Sequence, residues 1–310
     1  MQTILGAGGA IGNELAKALT VYTTDIRIAS RNPEQVNDTD VVFKADLTNA
    51  DDVNKAVSHS EVAYLTAGLP YKINVWQKTW PLIMRNVINA CIANNCRLVF
   101  FDNIYLYSGE NLNPIKETNP VNPPSKKGKV RSEIVKMIWR AVEDGNLKAV
   151  IARCADYYGP SIQNTSMLTE TVIKPLAKGQ TANWLMSDRH KHSFTYTIDA
   201  GKATALLGNT PGAFGEEWHL PTAKDPLTGK EWIELIAAEM GVKPKYRTVN
   251  KTMVRLIGLF VPAMRETLEM LYQYDKDYIF NSDKFEQRFS FKPTPYTEGV
   301  KQIIRTDYKK

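Results

Sequence analysis

Three closely spaced glycines near the N-terminus are the residues with the clearest chemical use. They follow a short apolar run, precede a segment with helical spacing, and read Gly6-x-x-Gly9-x-x-Gly12. Between a strand and a helix, such glycines let the backbone turn sharply and approach a pyrophosphate, which binds the amides and positive dipole end of the helix. No Gly-Lys-Ser/Thr follows, which excludes a P-loop. The pattern therefore predicts a dinucleotide site that includes Ala10 and Ile11.

The end of the second predicted strand indicates which dinucleotide is expected. A dinucleotide fold carries there either an acid for the ribose hydroxyls or a basic residue for a 2′-phosphate. The strand ends in Ser30-Arg31-Asn32-Pro33, and Asp25 precedes it, at the opposite end of the sheet. Arg31, with Ser30, therefore favours NADP(H) over NAD(H). The alternative is a solvated surface arginine, which leaves the phosphate preference open.

The elements that must position this turn alternate between strand and helix. Strand patterns cover residues 2–5, 26–29, 41–44, 62–66, 98–102 and 149–152, and helical patterns cover 11–19, 50–57, 80–94 and 132–142. Such alternation is typical of a parallel sheet with helices on both faces. The expected fold class is α/β, a Rossmann-type doubly wound parallel sheet with a smaller mixed α/β C-terminal substrate domain.

The regular alternation of strand and helix patterns ends after Gly159-Pro160, where the predicted second domain begins. Helical patterns at 167–176, 230–240, 253–259 and 265–272 dominate there, with short strand-like pieces at 192–197 and 218–220. The predicted cofactor domain covers residues 1–160, with a return segment near 190–207. The predicted substrate domain covers residues 161–189 and 208–310.

Composition excludes several classes of protein. The chain has 310 residues, 43% of them hydrophobic, and a net charge of +6 from scattered basic residues. A nucleic-acid binder more often shows a dense basic stripe, and a membrane span needs roughly 18 apolar residues in a row. The N-terminus lacks the basic region of a signal peptide. Three cysteines cannot all pair, and none has CxxC spacing, which indicates a reducing compartment. We expect a cytoplasmic protein with a small-molecule substrate and no nucleic-acid or membrane partner.

Five further segments complete the pattern of a known family. They are Ala45-Asp46-Leu47, Thr66-Ala67-Gly68, residues 153–160, residues 193–199, and residues 291–295 with the sequence Phe-Lys-Pro-Thr-Pro. With these segments and the glycine turn, the chain resembles the extended short-chain dehydrogenase/reductase superfamily, which includes the NAD-dependent epimerases and dehydratases. The resemblance covers nearly the whole length of the chain. The resemblance implies that the Asp46-Leu47 pair contacts adenine and that residues 66–68 run beside the cofactor. It also implies that the backbone at Cys154 and Ala155 borders the nicotinamide, and that the 80–94 and 132–142 helices form a homodimer.

The chain departs from this family at the catalytic positions. Family members usually carry Ser or Thr after the fifth strand and Tyr-x-x-x-Lys on the next helix, whose phenol exchanges a proton with the substrate. Matching Leu106-Tyr107 to the family's Val-Tyr puts Asn103 at the hydroxyl position. Ser125 takes the tyrosine position when the helix start is matched through Pro124, Lys129 and Glu133. The resemblance predicts that Lys129 binds the nicotinamide ribose and acts in catalysis.

A serine hydroxyl is a far weaker acid than a phenol, so other side chains are candidates for the catalytic roles. Asn103 is expected to donate its amide to a carbonyl oxygen. The candidate replacement acids, each with a packed aromatic as its alternative, are Tyr71, Tyr105, Tyr107 and Tyr158, and Lys126 or Lys127 is a further possibility. The only Tyr-x-x-x-Lys runs from Tyr272 to Lys276, far beyond the cofactor domain, and we interpret it as chance spacing.

Two functional hypotheses follow, and neither includes a metal. His190 and His192 lack a third ligand at recognisable spacing, and no His-Glu-x-x-His or Gly-x-Ser-x-Gly occurs. The first hypothesis is an NADP(H)-dependent oxidoreductase, epimerase or dehydratase-like enzyme with an atypical active site, acting on a carbonyl or hydroxyl compound. The alternative is a non-catalytic NADP(H)-binding sensor or regulatory protein.

Overall fold

A seven-stranded parallel sheet is the central element of the computed structural model, which describes residues 1–308. The strands, in chain order, are β1 (Gln2–Leu5), β2 (Ile26–Ser30), β3 (Val41–Lys44), β4 (Val62–Leu65), β5 (Arg97–Asp102), β6 (Ala149–Arg153), β7 (Asp156–Tyr158), β8 (Ala182–Leu185), β9 (Phe194–Tyr196), β10 (Glu217–His219) and β11 (Tyr246–Val249). The sheet has the order β10-β6-β5-β4-β1-β2-β3, and β7 pairs with β9 and β8 with β11. This order confirms the predicted Rossmann-type fold, whose direction of winding reverses between β1 and β4.

Helices follow most strands of the sheet and bury one face each. In chain order they are α1 (Ala10–Leu19), α2 (Ala50–Val57), α3 (Ile73–Ala93), α4 (Lys126–Glu143), α5 (Lys174–Ala177), α6 (Thr197–Gly208), α7 (Gly229–Met240), α8 (Lys251–Gly258), α9 (Pro262–Thr267), α10 (Asp283–Phe289) and α11 (Tyr296–Ile303). Short 3₁₀ helices cover Pro211–Ala213 and Leu268–Gln273, and π-helical turns cover Thr169–Ile173 and Ile304–Tyr308. None of the helices within residues 1–308 has the length and apolar character required to cross a membrane.

Contacts divide the chain into two compact units that do not follow chain order. Unit 1 comprises Met1–Leu106, Lys126–Cys154 and Ala200–Leu220, and contains the seven-stranded sheet. Unit 2 comprises Tyr107–Ser125, Ala155–Asp199 and the chain from Pro221 onward. It is mostly helical, around a core rich in aromatic side chains that includes Tyr158, Trp232 and Tyr296. The assignment of cofactor and substrate roles to two domains stays a prediction.

The third segment of unit 1 differs from the predicted return near 190–207. The strand piece predicted at 192–197 is β9, which pairs with β7 inside unit 2, and the segment in unit 1 is Ala200–Leu220. The piece predicted at 218–220 is β10, which joins the main sheet beside β6, with Trp218 opposite Ala152. Three residues suffice for an edge strand, but they are too few to show in the sequence which sheet they join.

Two helices of unit 1 begin earlier than their apolar patterns predict. Helix α3 starts at Ile73 and continues through Pro81, because burial of Trp76 and Trp80 on one face compensates for the hydrogen bond that proline lacks. Helix α4 starts at Lys126. Its first turns bury Lys127 and Arg131. These charged residues do not fit the apolar pattern from which the helix start was predicted.

Candidate functional site

The glycine turn joins β1 to α1 and leaves an open surface at the start of the helix. Gly6 has φ of +82°, and a Cβ atom there would lie 2.4 Å from the Cα of Ala67. A Cβ on Gly12 would lie 3.0 Å from the Cα of Ala7, whereas one on Gly9 would meet nothing within 4 Å. Gly9 caps α1 without a side-chain hydrogen bond to its amides. The turn therefore has the form of an anion cradle, with Ala10 and Ile11 in the first turn of the helix.

The turn after β4 lies beside this cradle. The Thr66 amide donates to the Leu5 carbonyl at 3.0 Å, which extends the pairing of β4 with β1. The Thr66 hydroxyl is buried and has no hydrogen-bond partner among the described residues, and a Cβ on Gly12 would lie 3.3 Å from it. Gly68 is exposed. An orphaned hydroxyl beside a glycine cradle fits the polar edge of a dinucleotide, so the residues present suit the group that the sequence predicts.

A cleft of about 580 Å³ opens at the carboxyl ends of β2 and β3. It is lined by Arg31, Asn32, Lys44, Ala45, Asp46 and Asp52. Arg31 and Asp46, predicted from separate strands, thus line one cleft. Lys44 was not predicted: it ends β3 as one exposed lysine among many, and only the pairing of β3 with β2 brings it beside Arg31.

Hydrogen bonds fix the acidic side of this cleft. The amide and hydroxyl of Thr48 donate to Asp46 Oδ1 at 2.9 Å and 2.8 Å, and these bonds, with a smaller effect of Arg31, lower the pKa of the Asp46 carboxyl. The Asp46 amide donates to Asp52 Oδ2 at 2.9 Å. Leu47 is buried, and its carbonyl accepts from the Asn86 amide at 3.0 Å. The segment is therefore anchored to α3 and carries an ionised Asp46.

Asn103 directly follows β5 and keeps one donor available. Its Oδ1 accepts from the Tyr105 amide at 3.0 Å, and its carbonyl accepts from Arg153 Nη1 at 2.7 Å. Its Nδ2 has no hydrogen-bond partner among the described residues. The geometry thus suits the predicted role of an amide donor to a carbonyl oxygen.

The other two predicted catalytic residues have different surroundings. Lys129 is exposed near the start of α4, in unit 1. Ser125 is buried and ends a segment of unit 2, immediately before α4 begins.

The backbone predicted to border the nicotinamide is hydrogen-bonded on both of its amides. Cys154 is buried, and its amide donates to the Asp102 carbonyl at 3.0 Å, while the Ala155 amide donates to the Thr195 hydroxyl at 3.1 Å. The backbone at residues 154 and 155 is therefore firmly held.

A buried ion network that the sequence analysis missed supports the Asn103 turn. Asp102 accepts from both Arg131 and Arg153, and all three side chains are almost fully buried. Arg153 also pairs with Glu217 of β10 at 2.8 Å. The Arg131 guanidinium lies 4.6 Å from the Trp80 ring centroid. The one sequence signal was Arg153, a charge at the end of an otherwise apolar strand.

Two of the four tyrosines named as replacement acids are almost fully buried, and the other two are partly buried. Tyr158 is fully buried, burial raises the pKa of its phenol, and its ring packs against aromatic neighbours in unit 2. Tyr107 is also buried. Tyr105 stacks on Trp76, and the Tyr71 ring lies 4.4 Å from the ammonium of buried Lys127. These contacts favour the packed alternative for Tyr107 and Tyr158.

The two histidines considered as metal ligands, His190 and His192, each pair with a carboxylate in unit 2. His192 Nε2 lies 3.0 Å from Asp156, and His190 Nδ1 lies 3.5 Å from Asp277. Within residues 1–308, no group of three or more histidine, cysteine or acidic side chains is arranged to hold a metal ion.

The comparisons with known proteins concern nearly the whole chain. The family model described as NAD dependent epimerase/dehydratase matches residues 3–218. A UDP-glucose 4-epimerase from Thermus thermophilus, solved with NAD, is similar with 15% identity and a TM-score of 0.80, over 99% of this chain and 98% of that one. A double mutant of DesIV, a dTDP-glucose 4,6-dehydratase from Streptomyces venezuelae, solved with NAD, is similar with 14% identity and a TM-score of 0.79, over 98% of this chain and 96% of that one.

MoeE5, solved with UDP-glucose and NAD, is similar with 15% identity and a TM-score of 0.78, over 98% of this chain and 97% of that one. No curated protein matches the sequence. At these identities the likeness to solved structures shows the fold alone.

Proposed function

Because the chain belongs to the NAD-dependent epimerase/dehydratase family, we propose that it is an NADP(H)-dependent oxidoreductase or epimerase acting on a carbonyl or hydroxyl compound. The observation that carries the proposal is the cradle at Gly9, which offers open helix amides beside the orphaned Thr66 hydroxyl. When bound, the nicotinamide cofactor donates or accepts the hydride.

The cleft at the ends of β2 and β3 supports the preference for NADP(H). Arg31 and Lys44 put two cations on its wall, and Thr48 and Asp52 hold the acidic segment through hydrogen bonds. A 2′-phosphate there would accept charge-assisted hydrogen bonds from both cations. Asp46 would face the adenine, as the family resemblance implies. We propose Arg31 and Lys44 as the residues that select the phosphate.

Removing either cation is expected to weaken NADPH binding about tenfold and to leave NADH binding unchanged, because a hydrogen bond to a charged group contributes about 1.5–3 kcal/mol. The variants are Arg31→Ala and Lys44→Ala, measured by calorimetric titration with each cofactor. Lys136→Ala removes the same charge from an exposed position on α4 and serves as the control. Equal affinity of the wild type for NADPH and NADH contradicts the phosphate assignment.

The residues proposed for chemistry are Asn103, Lys129 and Ser125. The Asn103 amide would stabilise negative charge on a substrate oxygen, and the exposed ammonium of Lys129 would hold the nicotinamide ribose. Ser125, which is buried, would offer a hydroxyl where the family resemblance expects a phenol.

Turnover tests these assignments directly. Asn103→Asp keeps the acceptor for the Tyr105 amide but loses the donor, so we expect turnover to fall by about 10²–10³-fold with NADPH affinity retained. Lys129→Ala is expected to weaken both turnover and NADPH binding. The assay follows NADPH absorbance with a panel of aldehydes and ketones. Unchanged turnover in either variant contradicts the role of that residue.

The second candidate function is a non-catalytic NADP(H) sensor, and the absence of a phenol at Ser125 favours it. The sensor hypothesis predicts tight NADPH binding with no turnover across the panel, whereas the enzyme hypothesis predicts both NADPH binding and turnover. The cytoplasm stays the predicted location because the three cysteines form no disulfide. A homodimer stays a prediction from the resemblance.

A further inference from the structure

The turn between α8 and α9 presents a group of apolar side chains to solvent. Leu259 and Phe260 are 76% and 86% exposed, and Leu256 and Val261 beside them are 59% and 44% exposed. We call these four residues the apolar tip. Large apolar side chains that stand singly on a surface are ordinary, whereas a contiguous exposed group marks an interaction site.

Helix α8 is fixed to unit 2 by its other face. The Asn250 side chain caps the helix by accepting from the Met253 amide at 2.9 Å. Val254 is fully buried, and it packs in a cluster with Leu185 and Leu271. The core of unit 2 therefore uses one face of α8, and the apolar tip is left outside that core.

The turn itself has a defined backbone. The amides of Phe260 and Val261 donate to the Ile257 carbonyl at 3.0 Å and 2.8 Å. A Cβ atom on Gly258 would lie 3.1 Å from the Cα of Arg265, so this glycine lets α9 pack closely against α8. All these residues belong to unit 2. The exposure of the tip is therefore a property of a hydrogen-bonded turn.

The sequence around the tip is basic and contains no acid. Residues 241–265 include six Lys and Arg residues and no Asp or Glu. The other 33 of the 39 basic residues balance the 33 acidic residues, so this stretch accounts for the net charge of +6. The six basic side chains are all exposed, and they are Lys243, Lys245, Arg247, Lys251, Arg255 and Arg265. The acids that bound the stretch, Glu239 and Glu266, are both partly buried.

The combination of an apolar tip with basic neighbours favours one kind of partner. A second copy of this chain would bring the same cations face to face, which opposes association. A nucleic acid would pair with the cations but would leave Leu259 and Phe260 in water. A bilayer with anionic lipids offers negative headgroups for the cations and apolar chains about 5–10 Å below them for the tip.

We propose that the apolar tip is a membrane-docking site, which inserts into the surface of a bilayer of anionic phospholipids while Lys251, Arg255 and Arg265 bind the headgroups. The inference goes beyond the proposed function and does not depend on it. A surface contact requires no spanning helix, so the expectation of no membrane partner is revised in this one respect.

Cosedimentation with vesicles tests the proposal. The wild type is expected to bind equimolar phosphatidylcholine–phosphatidylserine vesicles at least tenfold more tightly than pure phosphatidylcholine, and high salt should weaken this binding. Phe260→Ser should weaken it about tenfold or more, since the ring no longer leaves water. Arg255→Gln should weaken it about fivefold. The matched controls are Val21→Ser, at an apolar side chain that is 81% exposed in unit 1, and Lys136→Gln on α4.

A fluorescent label reports insertion directly. Cys91, Cys96 and Cys154 are buried, so an environment-sensitive dye will react with the exposed thiol of Phe260→Cys. Its emission should shift to the blue when the equimolar vesicles are added, and the same dye on Val21→Cys should not respond.

Three results overturn the proposal. The first is a wild type that binds neither kind of vesicle, and the second is an equal loss of binding in Phe260→Ser and Val21→Ser. The third is self-association in analytical ultracentrifugation that Phe260→Ser abolishes while vesicles stay unbound, which would identify a second copy as the occupant of the tip.

Discussion

Asp102→Ala is expected to lower the free energy of unfolding by about 3–5 kcal/mol, the usual cost of removing one partner from a buried ion network. The substitution leaves the guanidinium groups of Arg131 and Arg153 buried without the carboxylate that both contact. Glu217 still pairs with Arg153 but does not replace Asp102 beside Arg131. Urea unfolding followed by circular dichroism measures the difference.

The control for Asp102→Ala is Glu234→Ala, which breaks an exposed pair with Lys230 on α7. Exposed pairs of this kind contribute little, so a change within about 0.5 kcal/mol is expected. Similar losses in the two variants would show that the buried network contributes no more than a surface pair. Because Arg153 also donates to the Asn103 carbonyl, Asp102→Ala should additionally weaken any turnover that depends on Asn103.

Gly6→Ala and Gly9→Ala are expected to differ in their effect on stability although both lie in the same turn. Alanine at position 6 must adopt a positive φ and would place its Cβ against the Ala67 backbone, so we expect a loss of about 3 kcal/mol in unfolding free energy. Alanine at position 9 meets nothing and has an ordinary extended backbone, so stability should be retained.

NADPH affinity is expected to fall in Gly9→Ala although the stability of this variant is retained. A methyl group on Gly9 would project into the open space at the start of α1, where a pyrophosphate is expected, and NADPH affinity should fall by about tenfold or more. Thermal unfolding and calorimetric titration on the same preparations measure both effects. If Gly9→Ala binds NADPH as the wild type does, the cradle is not the pyrophosphate site.

The elements that were predicted well depend on local patterns. Strands β1, β3 and β6 and helices α1 and α2 were predicted within about a residue, because short apolar runs and the 3.6-residue period encode them directly. The start of α4 was missed because Lys127 and Arg131 are buried there through contacts with the Tyr71 ring and with Asp102. A local pattern cannot indicate that a charged residue will be buried.

The opening glycines and the type of the residue at position 31 could be read from the chain because backbone turns and strand ends are local properties. The same holds for the serine at position 125, whose significance comes from its place before a recognisable helix. The tertiary structure decided that Lys44 lines the cleft with Arg31 and that Asp102 joins two arginines. Each of these contacts joins residues distant in sequence, and packing alone determines which distant side chains meet.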